Sequence, residues 1–138
     1  MPDTLELTPD DQAVTQALQW LERIAEREGW PAKTAFGLTL SLDEALTNIV
    51  SYAFDPPPDK PSIVLDYRRD GPRLLLELRD NGRPYDPTSV ESAPLAQSLD
   101  EFDLGGHGVR LMRHYLQDLA YRRDDGWNCL TMTMEATQ

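Results

Sequence analysis

The sequence predicts a single α+β domain, a two-layer sandwich in which helices cover one face of a mostly antiparallel sheet. Three observations lead there. Two pairs of strand-like segments are joined by tight turns, Asp70-Gly71-Pro72 and Asp124-Asp125-Gly126, as in hairpins. Two long stretches of helical repeat follow one another between the first strand and the first hairpin. Helices grouped in blocks, with strands linked as hairpins, describe an antiparallel sheet rather than the regular alternation that builds a parallel one. The chain has 138 residues, 40% hydrophobic and 27% charged, which suits one domain spanning 1–138 with a core of its own.

The first strand rests on Leu5 and Leu7, which alternate with polar neighbours. Thr8-Pro9-Asp10-Asp11 reads as a helix start, with an N-cap, proline at the first helical position and acids in the first turn. Val14, Leu18, Leu21, Ile24 and Ala25 give that helix an apolar face, and Gly29 and Pro31 end it. A second helix is predicted over 33–54. Leu38, Leu42, Ala45, Ile49 and Ala53 form its apolar face, and Ser41, Glu44, Asn48 and Ser51 form an adjacent polar stripe. Pro56-Pro57-Pro58 stops it.

In the first hairpin Ile63, Leu65 and Tyr67 alternate with Ser62, Asp66 and Arg68, and Leu74, Leu76 and Leu78 alternate with Arg73, Glu77 and Arg79. Period two carries the apolar face of the second strand on to Asp80, where a carboxylate is costly without a partner. Residues 86–104, rich in Pro, Ser, Thr and acids, read as a long mobile loop, a kind of segment that compact domains keep mostly for function. Gly105 to Gly108 lead into a short helix carrying Val109, Leu111, Met112 and Leu116, and strands at 119–123 and 128–135 close the chain.

The net charge of −11 argues against a broad nucleic-acid-binding surface. No stretch approaches the ~20 apolar residues of a membrane span, and the N-terminus lacks the apolar run of a signal peptide, so the cytoplasm is the expected location. Cys129 is the single cysteine, which rules out an internal disulfide and reads as a buried strand thiol. It and the two scattered histidines offer no zinc spacing. Trp20, Trp30 and Trp127 are dispersed and lack a basic stripe, so they read as core or capping aromatics rather than a base-stacking platform.

Three segments carry chemistry. Glu44 and Asn48, four apart on a helix, are neighbours. An amide oxygen suits Mg²⁺, and a carboxylate beside it can take a proton from a hydroxyl attacking a phosphate. The bland alternative is a solvated helix face. Asp80-Asn81-Gly82-Arg83-Pro84-Tyr85-Asp86-Pro87 follows a hydrophobic strand. Asp80 can accept a hydrogen bond from the exocyclic amine of a base, and Gly82 would let that base approach the backbone. The bland alternative is a turn. Gly105-Gly106-His107-Gly108 before a helix presents free N–H groups at a positive helix end, a phosphate cradle or else a hinge. It lacks the Gly-Lys-Ser/Thr of a P-loop. His107 and His114 taken singly read as surface or packing histidines.

In combination the segments resemble the GHKL ATP-binding superfamily, and within it the small bacterial anti-sigma factor serine/threonine kinases. Glu44-Ala45-Leu46-Thr47-Asn48 through Ala53 matches the family's E-A-x-x-N-x-x-x-x-A box. Asp80 to Pro87 follows D-x-G-x-P-F-D-P with Tyr85 for Phe, and Gly105 to Val109 meets G-G-x-G-L/I. Asn128-Cys129-Leu130-Thr131 meets a late N-x-L-T strand. The resemblance covers nearly the whole chain and implies a Bergerat ATP-binding fold. Asn48 would bind Mg²⁺ and Glu44 would be the general base. Asp80 would take the adenine amine, with Gly82 and Tyr85 beside it. Gly105, Gly106, His107, Gly108 and Val109 would hold the phosphates from a closing lid, although His107 replaces the usual aliphatic residue. Thr131 would lie near the adenine, yet strand period puts Leu130, Met132 and Met134 on the core face and turns Thr131 away.

The implied activity is transfer of the γ-phosphoryl group of ATP to a serine or threonine of an anti-anti-sigma partner of the STAS type. A sigma factor is the second implied partner, and a homodimer is compatible with the reading; neither nucleic acid nor membrane is engaged directly. The alternative is a non-catalytic ATP-gated partner-switching module of the same fold, and the presence of Glu44 favours the enzyme. A histidine-kinase catalytic domain is a third reading, weakened because 138 residues leave no room for a dimerisation helix with its phosphoacceptor histidine.

Overall fold

Alternation of side chains along extended backbone sorts this sheet into a dry face and a wet one. The structure is a computed structural model that describes residues 3–86 and 106–135, with the backbone alone at 106–110. In chain order the elements are β1 (Asp3–Leu7), α1 (Ala13–Glu28), α2 (Ala32–Tyr52), β2 (Ile63–Asp70), β3 (Arg73–Asp80), α3 (Gly106–Tyr115), β4 (Asp118–Asp124) and β5 (Trp127–Glu135). The strands form one five-stranded sheet in the order β1-β2-β3-β5-β4, with every neighbouring pair antiparallel.

The register aligns Leu7 with Ile63, Ile63 with Asp80, and Asp80 with Asn128 across four strands. One row further in, Leu65, Leu78, Leu130 and Tyr121 pair in the same way. These residues share the face that packs with Leu21, Ile24, Leu38, Leu42, Leu46 and Ile49 of the helices in one core. The other face carries Asp66, Glu77, Arg79 and Thr131, with an Arg79–Asp66 ion pair at 2.6 Å and Arg122–Glu77 at 3.4 Å. Cys129 is buried on that face beside Arg79 and Arg122, as a strand thiol should be.

The helix ends follow local chemistry. Gly29 stops α1 with φ of +64°, and the N–H groups of Gly29 and Trp30 close back on Glu26 and Ala25. The start of α1 differs from expectation. Asp10 Oδ1 accepts the Gln12 N–H at 2.9 Å while the Asp10 N–H donates to Thr8 O at 2.8 Å. This side-chain turn uses the capping groups early, so the helix begins at Ala13 and Thr8 is not its cap. The second hairpin turn places Asp125 and Gly126 at φ of +49° and +84°, a conformation that matches the twist of antiparallel strands.

The predicted loop of 86–104 lies, beyond Asp86, outside the described residues, as does Gly105. No helix among the described residues is long and apolar enough to cross a membrane.

Candidate functional site

Asp80, Gly82 and Tyr85 lie where β3 ends, against the last turns of α2, the helix that carries Glu44 and Asn48. Asp80 is the final residue of β3, fully buried on the core face. The segment that follows folds back onto α2: Arg83 donates its N–H to Ala53 O at 2.8 Å and its Nε to Tyr52 O at 2.9 Å. Asn81 fastens the same segment from the other side, accepting from Ser62 N–H at 2.8 Å and donating to Lys60 O at 2.8 Å. The orphan carbonyls at the end of α2 are thereby used.

Gly82 has a different reason to be glycine from the one the sequence suggests. A Cβ there would stand 2.3 Å from Ala53 O and 2.9 Å from Ala53 Cβ. The space of the missing side chain is taken by the end of α2, so close helix–loop packing, not approach of a base, is what the glycine permits.

Asp80 has an unequal pair of oxygens. Oδ1 accepts from the Gly82 N–H at 3.0 Å and from Asn128 Nδ2 at 2.9 Å. Oδ2 is buried and has no hydrogen-bond partner among the described residues. The other such atom, Arg79 Nε, lies 3.2 Å from Glu77 Oε1 on the far face. Burial pushes the Asp80 carboxyl above the ordinary range, and the bonds from Asn128 and Gly82 and the charge of Arg123 offset this only in part. A buried acceptor left open in a native fold is an exception that calls for an explanation, such as a water, an ion or a ligand.

Asn48 and Glu44 lie on α2 upstream of Ala53, with Asn48 five residues away, about 7.5 Å along the axis. Asn48 is buried and Glu44 half-buried. Burial, then the charge of Asp43, raises the Glu44 carboxyl. Tyr85 is half-buried, with its ring 6.1 Å from that of Tyr52. Burial raises its phenol, and Tyr52 and Glu44 add to the rise. The donor set suits Mg²⁺, which keeps several waters and needs few protein oxygens. Among the described residues no cluster of three or more His, Cys, Asp and Glu competes for a metal.

Gly106, His107, Gly108 and Val109 form the first turn of α3, whose N–H groups have no partner within the helix. Gly105 and the side chains of 106–110 are outside the described residues. Thr131 is not at the site. The register pairs it with Glu77 and Ala120, on the opposite face from Asp80, because it stands three positions, an odd step, beyond Asn128.

Asn128 is the residue sequence reasoning passed over. It donates to Asp80 Oδ1 and to Arg83 O at 2.8 Å, and its Oδ1 accepts from Tyr85 N–H at 3.1 Å, Tyr121 Oη at 2.6 Å and Arg123 at 3.1 Å. Its signal was there: Asn128, Leu130, Met132 and Met134 form one period-two row, so a polar residue stands at the end of the core face, as Asp80 does one strand over.

The chain is similar to known proteins over most of its length. A family model described as the histidine kinase-like ATPase domain matches residues 7–134. The serine/threonine-protein kinase BtrW of Bordetella bronchiseptica is 52% identical over 131 residues, 95% of this chain and 92% of that protein. The serine-protein kinase RsbW of Listeria innocua is 27% identical over 127 residues, 89% of this chain and 80% of that protein. Among solved structures, the RsbU and RsbW domains of Rv1364c from Mycobacterium tuberculosis superpose with a TM-score of 0.71 at 13% identity. That match covers 98% of this chain and 32% of the longer one, and shows a shared fold.

Proposed function

The chain belongs to the family of histidine kinase-like ATPase domains, and we propose that it works there as an ATP-dependent serine/threonine-protein kinase of the anti-sigma regulatory type. The observation that carries the site assignment is the split environment of Asp80, a buried carboxylate with one oxygen saturated and the other unpartnered. An exocyclic amine is the complement of that acceptor, and adenine bears one at the edge that would enter first.

In this reading Asp80 Oδ2 accepts from the adenine amine, and Tyr85, packed on Tyr52, walls the cleft beside it. Gly82 acts indirectly by letting the segment that carries Tyr85 seat on Ala53. Asn48 gives its amide oxygen to Mg²⁺. When bound, Mg²⁺ offsets negative charge on the phosphates. The first turn of α3, Gly106 to Val109, offers its free N–H groups to the phosphate chain. Glu44 takes the proton of the attacking serine or threonine hydroxyl as that oxygen bonds to the γ-phosphorus and ADP leaves. A base pushed above the ordinary carboxylate range by burial accepts that proton more readily than an exposed glutamate.

The phosphoacceptor is an anti-anti-sigma protein of the STAS type, and a sigma factor is the partner held when the acceptor is phosphorylated. The names of the similar kinases support a serine or threonine as the phosphoacceptor, and the family resemblance of the motifs suggests the class of partner. The experiment is transfer of labelled γ-phosphate from ATP to STAS-type candidates in the source genome. Label on a serine or threonine of one of them is the expected result. Binding of both ATP and that partner with no transfer would replace the kinase with an ATP-gated binding module.

A further inference from the structure

We propose that Asn128 is a positioning residue for adenine selection, which holds Asp80 so that one carboxylate oxygen alone is presented to the base. This rests on the reading of Asp80 as the acceptor for the adenine amine.

The geometry fixes the direction of the Asn128 amide. Three donors, Tyr85 N–H, Tyr121 Oη and Arg123, converge on one terminal atom, and two acceptors, Asp80 Oδ1 and Arg83 O, on the other. Flipped, the amide would set its NH₂ against an N–H and a guanidinium, and its oxygen against a carboxylate and a carbonyl. The side chain is therefore locked with its NH₂ toward Asp80.

That lock has a consequence at Asp80. With the Gly82 N–H and Asn128 Nδ2 both fixed at one oxygen position, a half-turn of the carboxylate only swaps two equivalent oxygens, so the position of Oδ2 stays the open acceptor. The same amide joins β5 to the segment after β3 through Arg83 and Tyr85, and to β4 through Tyr121 and Arg123. Arg123 also donates to Gly82 O at 2.9 Å. Asn128 thus fixes both the reading atom and the wall of the cleft. A residue that only filled space on the inner face would have no need of an amide in one orientation.

The test uses the full chain and two nucleotides, ATP and purine riboside triphosphate, which lacks the 6-amino group. Wild type is expected to bind ATP at least tenfold more tightly. Asn128→Val removes the amide while keeping a strand-forming shape, and the preference should fall below threefold. Asn128→Thr, the same shape with a hydroxyl donor, should restore at least half of the logarithmic preference. A structural role alone would weaken both nucleotides equally and leave the ratio where wild type has it, which overturns the proposal. If the valine variant does not fold, Asn128→Ala takes its place: a preference below threefold supports the positioning role, and one of threefold or more overturns it. Asp80→Ala separates this from the reading beneath it. If wild type shows no preference, or Asp80→Ala keeps it, the adenine assignment of Asp80 falls; if both behave as expected and only the Asn128 variants keep the ratio, this proposal alone falls.

Discussion

Two carboxylate clusters, one around half-buried Glu28 and one around buried Asp80, are built to opposite specifications. At the end of α1, Glu28 accepts from Tyr67 Oη at 2.5 Å, Trp30 Nε1 at 3.1 Å, and the guanidinium groups of Arg27 at 3.1 Å and Arg69 at 3.4 Å. Arg27 in turn clasps Asp3 at 2.8 Å and so pins β1 to α1. Burial works to raise the Glu28 carboxyl, but the bonds from Tyr67, Trp30, Arg27 and Arg69 outweigh it and hold the group below the ordinary range. At the end of β3, Asp80 also has donors, yet burial wins and the carboxyl is held above the ordinary range. The first cluster is saturated and serves the fold. The second leaves one acceptor open in the interior, a local cost for which the proposed adenine amine is the complement.

Changes near Asp80 should therefore alter chemistry or ligand binding while sparing stability, and changes at Glu28 should do the reverse. The largest effect is expected at Glu44→Gln, with phosphotransfer down about 10²–10⁴-fold and ATP affinity within a few-fold of wild type. Measured against pH, wild-type transfer should fall off on the acid side at a higher pH than for an ordinary glutamate near 4.5, because Glu44, the proposed base, is raised. Next, Asp80→Ala should lower ATP affinity by about 10²-fold or more by calorimetric titration, with an unchanged far-ultraviolet spectrum.

Glu28→Ala should do the opposite of Asp80→Ala. Loss of the shared acceptor of Tyr67 and Trp30 should destabilise the fold by about 2–3 kcal/mol in urea denaturation, with ATP affinity within twofold. The folded carboxyl is lowered, so the contribution of Glu28 is present above about 4.5 and lost as pH falls through the folded value; the gap between variant and wild type should close in acid. The smallest expected effect is the most diagnostic. Asp80 is raised, so its ionisation penalises the fold increasingly as pH rises above 3.8 through the folded value. Asp80→Asn should then stabilise the protein at neutral pH by about 1 kcal/mol, roughly 3–5 °C in thermal midpoint, while losing ATP. If the stability of Asp80→Asn relative to wild type does not improve as pH rises above about 3.8, the charge at Asp80 is satisfied and the contrast between the clusters is false.

The site was legible in the sequence where local pattern and chemistry coincide. Period two brought Asp80 onto the core face, and helical spacing set Glu44 and Asn48 side by side; the structure has both. It was misread where the decisive contact is distant in sequence. Gly82 looked like room for a base and is room for Ala53, 29 positions earlier in the chain. Thr131 was drawn to the site by its motif, although the alternation beside it already pointed away. Thr8 fitted a capping pattern, but Asp10 reached the free N–H group first.

The sequence alone determined which elements form and which face each side chain takes, because helix and strand periods are properties of the local backbone. It determined the residue types of the site for the same reason. Only the tertiary structure decided how the two oxygens of Asp80 differ. That difference depends on Asn128 from β5, on the N–H of Gly82 held against α2, and on the exclusion of water by the packed layers. Hydrogen-bond saturation counts neighbours in space, and antiparallel pairing of β3 with β5 across 48 residues of chain is what made Asn128 a neighbour.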